Sequence, residues 1–310
     1  MNSTKVLVTG GGRGIGESIS RLLASSGSQV VIADAGIGIG GEDEDNSVSE
    51  RLSEELNSKG YKTYHYSERL LDFNSVKKLV EYCENSMGGI NILINNAAIL
   101  RDKMVFKLDP ESFDIVIKNN LQMHFYLTRL VSERMKADKW GRIINMVSSA
   151  GLIGNIGQSA YGASKGGLVS FSRIAALDLA RYGITVNAIA PFAHTRVTEI
   201  IPENTPWLVD YKATIMNKAH TESVAHLVSY LIGESSKTIT GQVFGVRNGE
   251  LFLFSQPRPV GIHVLKEGES ISTFYQRTFT DWESEGLFSP LETDLMYMSK
   301  PLKESKQEGV

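Results

Sequence analysis

Short runs of aliphatic and β-branched residues alternate along the first 250 residues with longer segments whose apolar positions recur every three or four residues. The short runs predict buried strands, and the longer segments predict amphipathic helices. The predicted strands cover residues 5–9, 29–33, 90–94, 141–147, 184–189 and 242–246, and the predicted helices cover 14–25, 47–59, 75–87, 110–137, 161–181 and 223–232. This alternation predicts an α/β fold, a Rossmann-like doubly wound parallel sheet with helices on both faces.

Two segments depart from this alternation. Residues 35–47, AGIGIGGEDEDNS, are rich in glycine and then acidic, and they predict a long flexible loop after the second strand. The alternation ends near Gly249, so we predict a dinucleotide-binding and catalytic domain over residues 1–250 and a C-terminal extension over 251–310. The extension carries the aromatic-rich segment ISTFYQRTFTDWES, which is expected to pack on the core or on a neighbouring subunit because exposed aromatic side chains are unfavourable.

Composition narrows the class of protein. The 310 residues carry a net charge of -3, which offers no general attraction for nucleic acid or for an anionic membrane surface. The single cysteine, Cys83, cannot form an intramolecular disulfide, and we find neither a signal-peptide pattern nor a long apolar span. We therefore expect a cytoplasmic protein that acts on small molecules.

A glycine-rich turn, TGGGRGIG at residues 9–16, lies between the first predicted strand and the first predicted helix. Glycines allow the backbone to approach a pyrophosphate closely, and the helix N-terminus stabilises its negative charge. The context favours a dinucleotide site over a turn without a ligand. The expected cofactor contacts in this turn are Gly10, Arg13, Gly14, Ile15 and Gly16.

Asp34 ends the second predicted strand, about twenty residues after the glycine turn. A carboxylate at this point can accept hydrogen bonds from the adenosine ribose hydroxyls, and it repels a 2′-phosphate. The sequence therefore predicts NAD rather than NADP as the cofactor, although Asp34 could also be a solvated loop residue.

A tyrosine and a lysine lie four residues apart in YGASK, at the head of the fifth predicted helix. Tyr161 and Lys165 therefore share a helix face, and a nearby ammonium lowers the pKa of a phenol towards the range of a general base. Ser148 follows a predicted buried strand, where its hydroxyl would reach the ligand-binding edge of the sheet. Asn120 is a polar amide inside a predicted long helix. Together these four residues are the candidate catalytic set.

Over residues 3–250 the sequence resembles the short-chain dehydrogenase/reductase family in TGGGRGIG, in NNAA at 95–98, and in Asn120, Ser148 and YGASK. The resemblance implies that Tyr161 is the general acid and base, and that Lys165 lowers its pKa and binds the nicotinamide ribose. It implies that Ser148 positions the substrate oxygen and that Asn120 supports a proton relay through water. It also implies cofactor contacts at Asn96, Ala193 and Thr195.

A narrower resemblance is to the (3R)-hydroxyacyl-CoA dehydrogenase units of multifunctional β-oxidation enzymes and their free-standing bacterial relatives. It is carried by NNAAILRDKMVF, GNIGQSAYGASK, NAIAPFAHTRVTE and the long loop after Asp34. It implies a 3-hydroxyacyl-CoA substrate, and the family implies a homodimer or homotetramer. The sequence leaves the adenine contact open between Arg69–Leu70 and Asp72–Phe73.

Two alternatives to this hypothesis remain at the level of sequence. One is an NAD-dependent dehydrogenase of a free cyclic or steroid alcohol, and the other is a cofactor-binding scaffold without turnover. The six histidines show no metal-ligand spacing, so we expect no metal and interpret each histidine as packed or exposed. His194 is the exception, because we expect it near the nicotinamide.

Overall fold

The computed structural model describes residues 4–42, 44–193, 219–247 and 250–287, together with Val209, Lys212, Ala213, Leu291 and Thr293. The described strands are β1 (Lys5–Thr9), β2 (Gln29–Ala33), β3 (Lys62–Tyr66), β4 (Ile92–Asn95), β5 (Gly141–Met146), β6 (Ile184–Phe192), β7 (Val243–Arg247) and β8 (Glu250–Leu253). They form one eight-stranded sheet in the order β3-β2-β1-β4-β5-β6-β7-β8. Neighbouring strands are parallel except for β7 and β8, which are antiparallel.

Helices cover both faces of this sheet. They are α1 (Gly14–Ser25), α2 (Ser47–Ser58), α3 (Phe73–Met87), α4 (Pro110–Ile117), α5 (Met123–Asp138), α6 (Ser159–Leu179), α7 (Thr221–Leu231) and α8 (Ile271–Ser284). Successive residues of a strand point to opposite faces, so Val6 and Val8 of β1 join a core with α1, α2 and α7, whereas Leu7 joins a core with α3, α5 and α6. The doubly wound α/β fold that the sequence predicts is confirmed.

Three elements differ from the predictions. Strand β3 has the mixed pattern KTYHY at the sheet edge, where one face stays partly exposed and the apolar signal is weak. Strand β8 lies beyond the predicted end of the alternation and pairs with β7. The long helix predicted over 110–137 is interrupted by a π-helical turn at Lys118–Gln122, which contains Asn120.

The aromatic-rich segment of the C-terminal extension forms helix α8. Ser270 accepts a hydrogen bond from the Thr273 amide at the start of α8, and Arg277 binds the Glu269 carboxylate. Tyr275 and Phe279 are more than half exposed, so the surface that the extension packs against remains a prediction. The division at residue 250 also remains a prediction, although β8 extends the sheet to Leu253.

Across the described ranges, no helix combines the length and the apolar character that crossing a membrane requires.

Candidate active site

A cavity of about 940 Å³ opens at the carboxyl ends of the parallel strands. Its wall contains the last residues of three strands, Thr9 of β1, Ala33 of β2 and Met146 of β5. Asn96 and Ala193, which directly follow β4 and β6, also line it. Ligands of doubly wound sheets bind at this edge, so the fold brings the predicted residues to the expected place.

The glycine turn forms one wall of the cavity, and its shape depends on missing side chains. Gly10 has a φ of 59°, and a Cβ at Gly16 would collide with the Gly10 carbonyl oxygen. No described side chain caps α1, and the first amides of a helix have no acceptor within the helix. Gly10, Arg13, Gly14 and Ile15 line the cavity, so the turn fits the pyrophosphate of a dinucleotide.

Asp34 is held in place by the backbone around it. The Gly12 amide donates to Asp34 Oδ2 (3.0 Å), and the Gly36 amide donates to Asp34 Oδ1 (2.8 Å). A carboxylate offers about four acceptor positions, so two hydrogen bonds leave capacity for ribose hydroxyls. Arg13 lies 4.0 Å from Asp34 Oδ1, and its Nη2 donates to the Ile37 carbonyl (2.8 Å).

The loop after β2 is anchored to its surroundings, although its composition predicts flexibility. The Leu100 amide donates to the Ile39 carbonyl (2.8 Å), and Arg101 Nε donates to the Gly40 carbonyl (2.8 Å). Arg69 Nη2 donates to the Gly41 carbonyl (3.0 Å). These contacts place Ile37, Gly38 and Ile39 in the cavity wall. The anchoring groups are far away in sequence, which is why composition could not reveal them.

Of the two pairs that the sequence leaves open for the adenine contact, Arg69 and Leu70 line the cavity, and their contact with adenine stays a prediction. Glu68 lines the cavity as well. Asp72 instead caps α3, where its Oδ1 accepts a hydrogen bond from the Ser75 amide (2.8 Å).

Tyr161 and Lys165 lie on the first two turns of α6, and both line the cavity. Lys165 Nζ donates to the Met146 carbonyl (2.7 Å) and lies 5.7 Å from the centre of the Tyr161 ring. Burial lowers the pKa of Lys165 to about 7. Ser148 also lines the cavity, and its hydroxyl oxygen accepts a hydrogen bond from the Ala150 amide (3.1 Å). Thus three of the four candidate catalytic residues share one cavity with the glycine turn.

Asn120 and Asn96 brace the site with their side chains. Asn120 Oδ1 accepts from the Ile99 amide (2.9 Å), and its Nδ2 donates to the Ile99 carbonyl (2.9 Å), which ties the π-helical turn to the segment after β4. Asn120 is not among the described residues of the cavity wall. Asn96 Nδ2 donates to the Thr9 and Gly10 carbonyls (3.0 Å each). Roles in proton relay for Asn120 and in ribose binding for Asn96 stay predictions.

Ala193 lies in the cavity wall, as the family resemblance implies. Thr195 and His194 lie outside the described residues, so their expected roles stay predictions.

The sequence alone does not point to several residues of the cavity wall and its surroundings. Gln158 Nε2 donates to Asp102 Oδ2 (2.7 Å) near Tyr161, and burial raises the pKa of Asp102. His124 is 1 % exposed and also lines the cavity. Its one sequence signal is its position four residues after Asn120, which places both on one helical face. Within the described residues, no group of three or more potential ligand side chains could hold a metal ion.

Comparison with known proteins agrees with this geometry. The family model described as short chain dehydrogenase matches residues 4–207. The chain is similar to the 3-oxoacyl-[acyl-carrier-protein] reductase FabG of Aquifex aeolicus, with 36% identity over 244 residues, covering 78% of this chain and 95% of the relative. It is 33% identical over 249 residues to the peroxisomal hydratase-dehydrogenase-epimerase of Saccharomyces cerevisiae, covering 79% of this chain and 26% of that protein. A crystal structure of a short chain dehydrogenase from Mycobacterium avium superposes with a TM-score of 0.76 at 30% identity, covering 93% of this chain and 96% of the other.

Proposed function

We propose that the chain, which belongs to the short-chain dehydrogenase family, is an NAD-dependent enzyme that interconverts a 3-hydroxyacyl-CoA thioester and its 3-oxo form. As a family member it is an oxidoreductase that uses a nicotinamide dinucleotide. The observation that carries the proposal is the single cavity in which Tyr161 and Lys165 face the same space as the glycine turn and Asp34.

Asp34 supports NAD as the dinucleotide. Its carboxylate is held by two backbone amides, so it cannot turn away readily from a 2′-phosphate. Arg13 is the nearest described cation to this carboxylate, and one of its donors is already used by the Ile37 carbonyl. Like charges held at close range repel, whereas ribose hydroxyls donate to the carboxylate.

The proton chemistry follows from α6. A bound nicotinamide would supply the hydride acceptor, and oxidation of the carbinol carbon would require the substrate hydroxyl to lose its proton. The Tyr161 phenolate takes that proton, and the Lys165 ammonium stabilises the phenolate beforehand. The Ser148 hydroxyl orients the substrate oxygen, and the π-helical turn around Asn120 supports the path of the proton to solvent. Burial of Lys165 strengthens each of these electrostatic interactions, because the local dielectric is low.

The substrate class rests on the relatives and on the cavity mouth. The name of the Aquifex relative states a ketone at position 3 of an acyl group on a carrier, and the yeast relative is a multifunctional protein with a dehydrogenase activity. Near Tyr161 the wall offers both the polar Asn155, Gln158 and Asp102 side chains and the exposed Ile156. A mixed wall of this kind suits a thioester arm and its acyl chain.

The test is NADH formation from a panel of 3-hydroxyacyl-CoA thioesters and free secondary alcohols, with Tyr161→Phe as the background. We expect turnover with thioesters well above that background. Activity on free cyclic or steroid alcohols alone would replace the CoA assignment. NAD binding without turnover of any compound would support a scaffold instead.

We also propose a homodimer or homotetramer built on the long helices. Phe113 of α4, Phe125 of α5, and Ile174 and Leu177 of α6 are exposed apolar residues, and such surfaces commonly mark interfaces. Light scattering should show an oligomer that Leu177→Glu dissociates, whereas Leu71→Glu, also at an exposed leucine, should leave it intact. A monomeric unaltered protein would contradict this proposal. The cytoplasmic location stays a prediction, which a fluorescent fusion can check.

A further inference from the structure

His124 is a buried titratable residue that the chemistry described above does not use. It lies on α5, is 1 % exposed, and lines the cavity that also contains Lys165 and Tyr161. The Ala97 backbone interacts weakly with one ring nitrogen of His124, but neither nitrogen completes a hydrogen bond of good geometry with a described residue. A polar atom buried in this way costs free energy, so the nitrogen that Ala97 does not serve calls for a partner on the cavity side.

His124 is the middle member of a row of three polar residues. Asn120, His124 and Thr128 succeed one another at intervals of four along the same helical face. Asn120 binds the backbone of Ile99, and Thr128 Oγ1 accepts from Asn95 Nδ2 (3.3 Å). The outer two residues thus tie the helix to the segment around the end of β4. The middle residue is the one of the three that faces the cavity.

The surroundings of His124 determine the protonation state of its ring. Burial, with a smaller contribution from the nearby Lys165 ammonium, lowers the pKa of His124 to about 3, although the Ala97 backbone weakly favours protonation. The ring is therefore neutral at neutral pH and offers one N–H donor and one acceptor nitrogen. It cannot carry a proton in the reaction, but it can orient a molecule that does.

Lys165 is sensitive to small contributions. Burial lowers the pKa of its ammonium to about 7, so further acceptors decide how much of it is charged near neutral pH. Among the described residues, the Met146 carbonyl accepts one ammonium hydrogen, which leaves two for other acceptors. Asp102 is the other ionisable group at the catalytic end of the cavity, and the remaining charged wall residues, Arg13, Glu17, Asp34, Glu68 and Arg69, follow the ends of β1, β2 and β3.

We propose that His124 is a positioning residue for proton transfer, whose neutral ring holds a water molecule against the Lys165 ammonium and so keeps that ammonium charged beside Tyr161. The water accepts a hydrogen bond from Lys165 and donates one to the acceptor nitrogen of His124. In the oxidation direction, the proton that Tyr161 takes from the substrate leaves through this water to solvent, and His124 keeps its own protonation state throughout. This role rests on the proposed dehydrogenase function.

The experiment compares His124→Phe, which keeps a ring and removes both nitrogens, with His124→Asn, which restores a donor and an acceptor. The first measurement is the Tyr161 phenol titration by NMR of ¹³C-tyrosine-labelled protein, with Tyr161→Phe identifying the resonance. We expect the pKa of Tyr161 to rise by about one unit in His124→Phe and to return towards the original value in His124→Asn. This measurement needs no substrate.

The second measurement is the pH dependence of kcat. We expect its acid limb to move to higher pH by about one unit in His124→Phe, with the KM for the dinucleotide changed less than about twofold. Coincident phenol titrations in the unaltered protein and His124→Phe, even with lower thermal stability, would overturn the proposal. Failure of every substrate would reject the dehydrogenase function while the titration still decides the role of His124.

Should His124→Phe not fold, ¹⁵N-histidine spectra test the same contact in the intact chain. We expect the His124 ring nitrogens to shift when Lys165→Met removes the ammonium. A His124 signal that ignores Lys165→Met would contradict the proposed link.

Discussion

The two halves of the cavity are built differently. Around β1, β2 and β3, backbone groups form much of the wall: glycine amides, a helix start that no described side chain caps, and loop carbonyls held by Arg69 and Arg101. Around β4, β5 and β6, the proposed chemistry falls on side chains that are 1 % exposed or less, among them Asn120, His124 and Lys165. A dinucleotide needs close backbone approach, whereas proton transfer needs side chains whose pKa values burial can shift.

The largest expected effect lies in the catalytic half. Tyr161→Phe removes the titrating hydroxyl and keeps the ring, so kcat should fall by about 10³-fold or more. Dinucleotide affinity should change less than about threefold, because the glycine turn is untouched. Steady-state kinetics and calorimetric NADH binding measure the two effects, with the exposed Tyr230→Phe as the control. A comparable loss of dinucleotide affinity would contradict the assignment of binding and proton transfer to different halves of the cavity.

In contrast to Tyr161→Phe, Gly16→Ala should act mainly on dinucleotide affinity. Its new Cβ collides with the Gly10 carbonyl oxygen, so the turn must open and dinucleotide affinity should fall by about 100-fold. Circular dichroism verifies the fold. Gly27→Ala is the matched control, since Gly27 has a positive φ but open space around it. Affinity within threefold of the original would show that the turn does not hold the pyrophosphate.

Acid should weaken the catalytic half through His124. The pKa of this ring is about 3 when folded and 6.5 ordinarily, so between these values the unfolded chain binds a proton that the folded chain refuses. The free energy of unfolding is therefore not lowered by this group above about pH 6.5 and falls as the pH drops below that value. At about pH 4.5 the loss should reach roughly 2.5 kcal/mol.

Urea unfolding near pH 7 and pH 4.5 measures this loss, and His124→Phe should remove most of it. Equal acid losses in both proteins would contradict the buried, neutral state of His124.

A smaller effect is expected from the dinucleotide half. Asp34→Ala removes the carboxylate proposed to select ribose hydroxyls, so the ratio of the KM values for NADP and NAD should fall by about tenfold. The control is Asp45→Ala. This change removes an exposed carboxylate of the loop after β2, which is paired with Arg51 of α2. An unchanged ratio would remove Asp34 from the basis of cofactor choice.

The same contrast governs what the sequence could predict. The glycine turn and the strands around it are local patterns, and β1, β2 and α1 have the predicted bounds. Strand β3 was missed because KTYHY at the sheet edge lacks an apolar run, and β8 because it pairs beyond the last βα unit. The π-helical turn leaves the apolar periodicity nearly intact, so Asn120 appeared to lie within one long helix.

Within the site, the sequence motifs identify Tyr161, Lys165 and Ser148 as candidates, and the structure brings them to one cavity. The anchoring of the loop after β2 depends on Arg69 and Arg101, whose contacts span more than 25 residues. The sequence left His124 as a packed or exposed histidine, because burial and facing side chains are tertiary properties that spacing does not encode.

The central claim is that the dinucleotide half and the catalytic half of the cavity act on the same carbinol carbon of the substrate. It is tested most directly by mass spectrometry of the NADH formed from a 3-hydroxyacyl-CoA that carries deuterium at carbon 3. We expect one deuterium in the nicotinamide ring of each NADH formed, with none released to water. Unlabelled NADH, or NADH formation that Tyr161→Phe leaves unchanged, would contradict it.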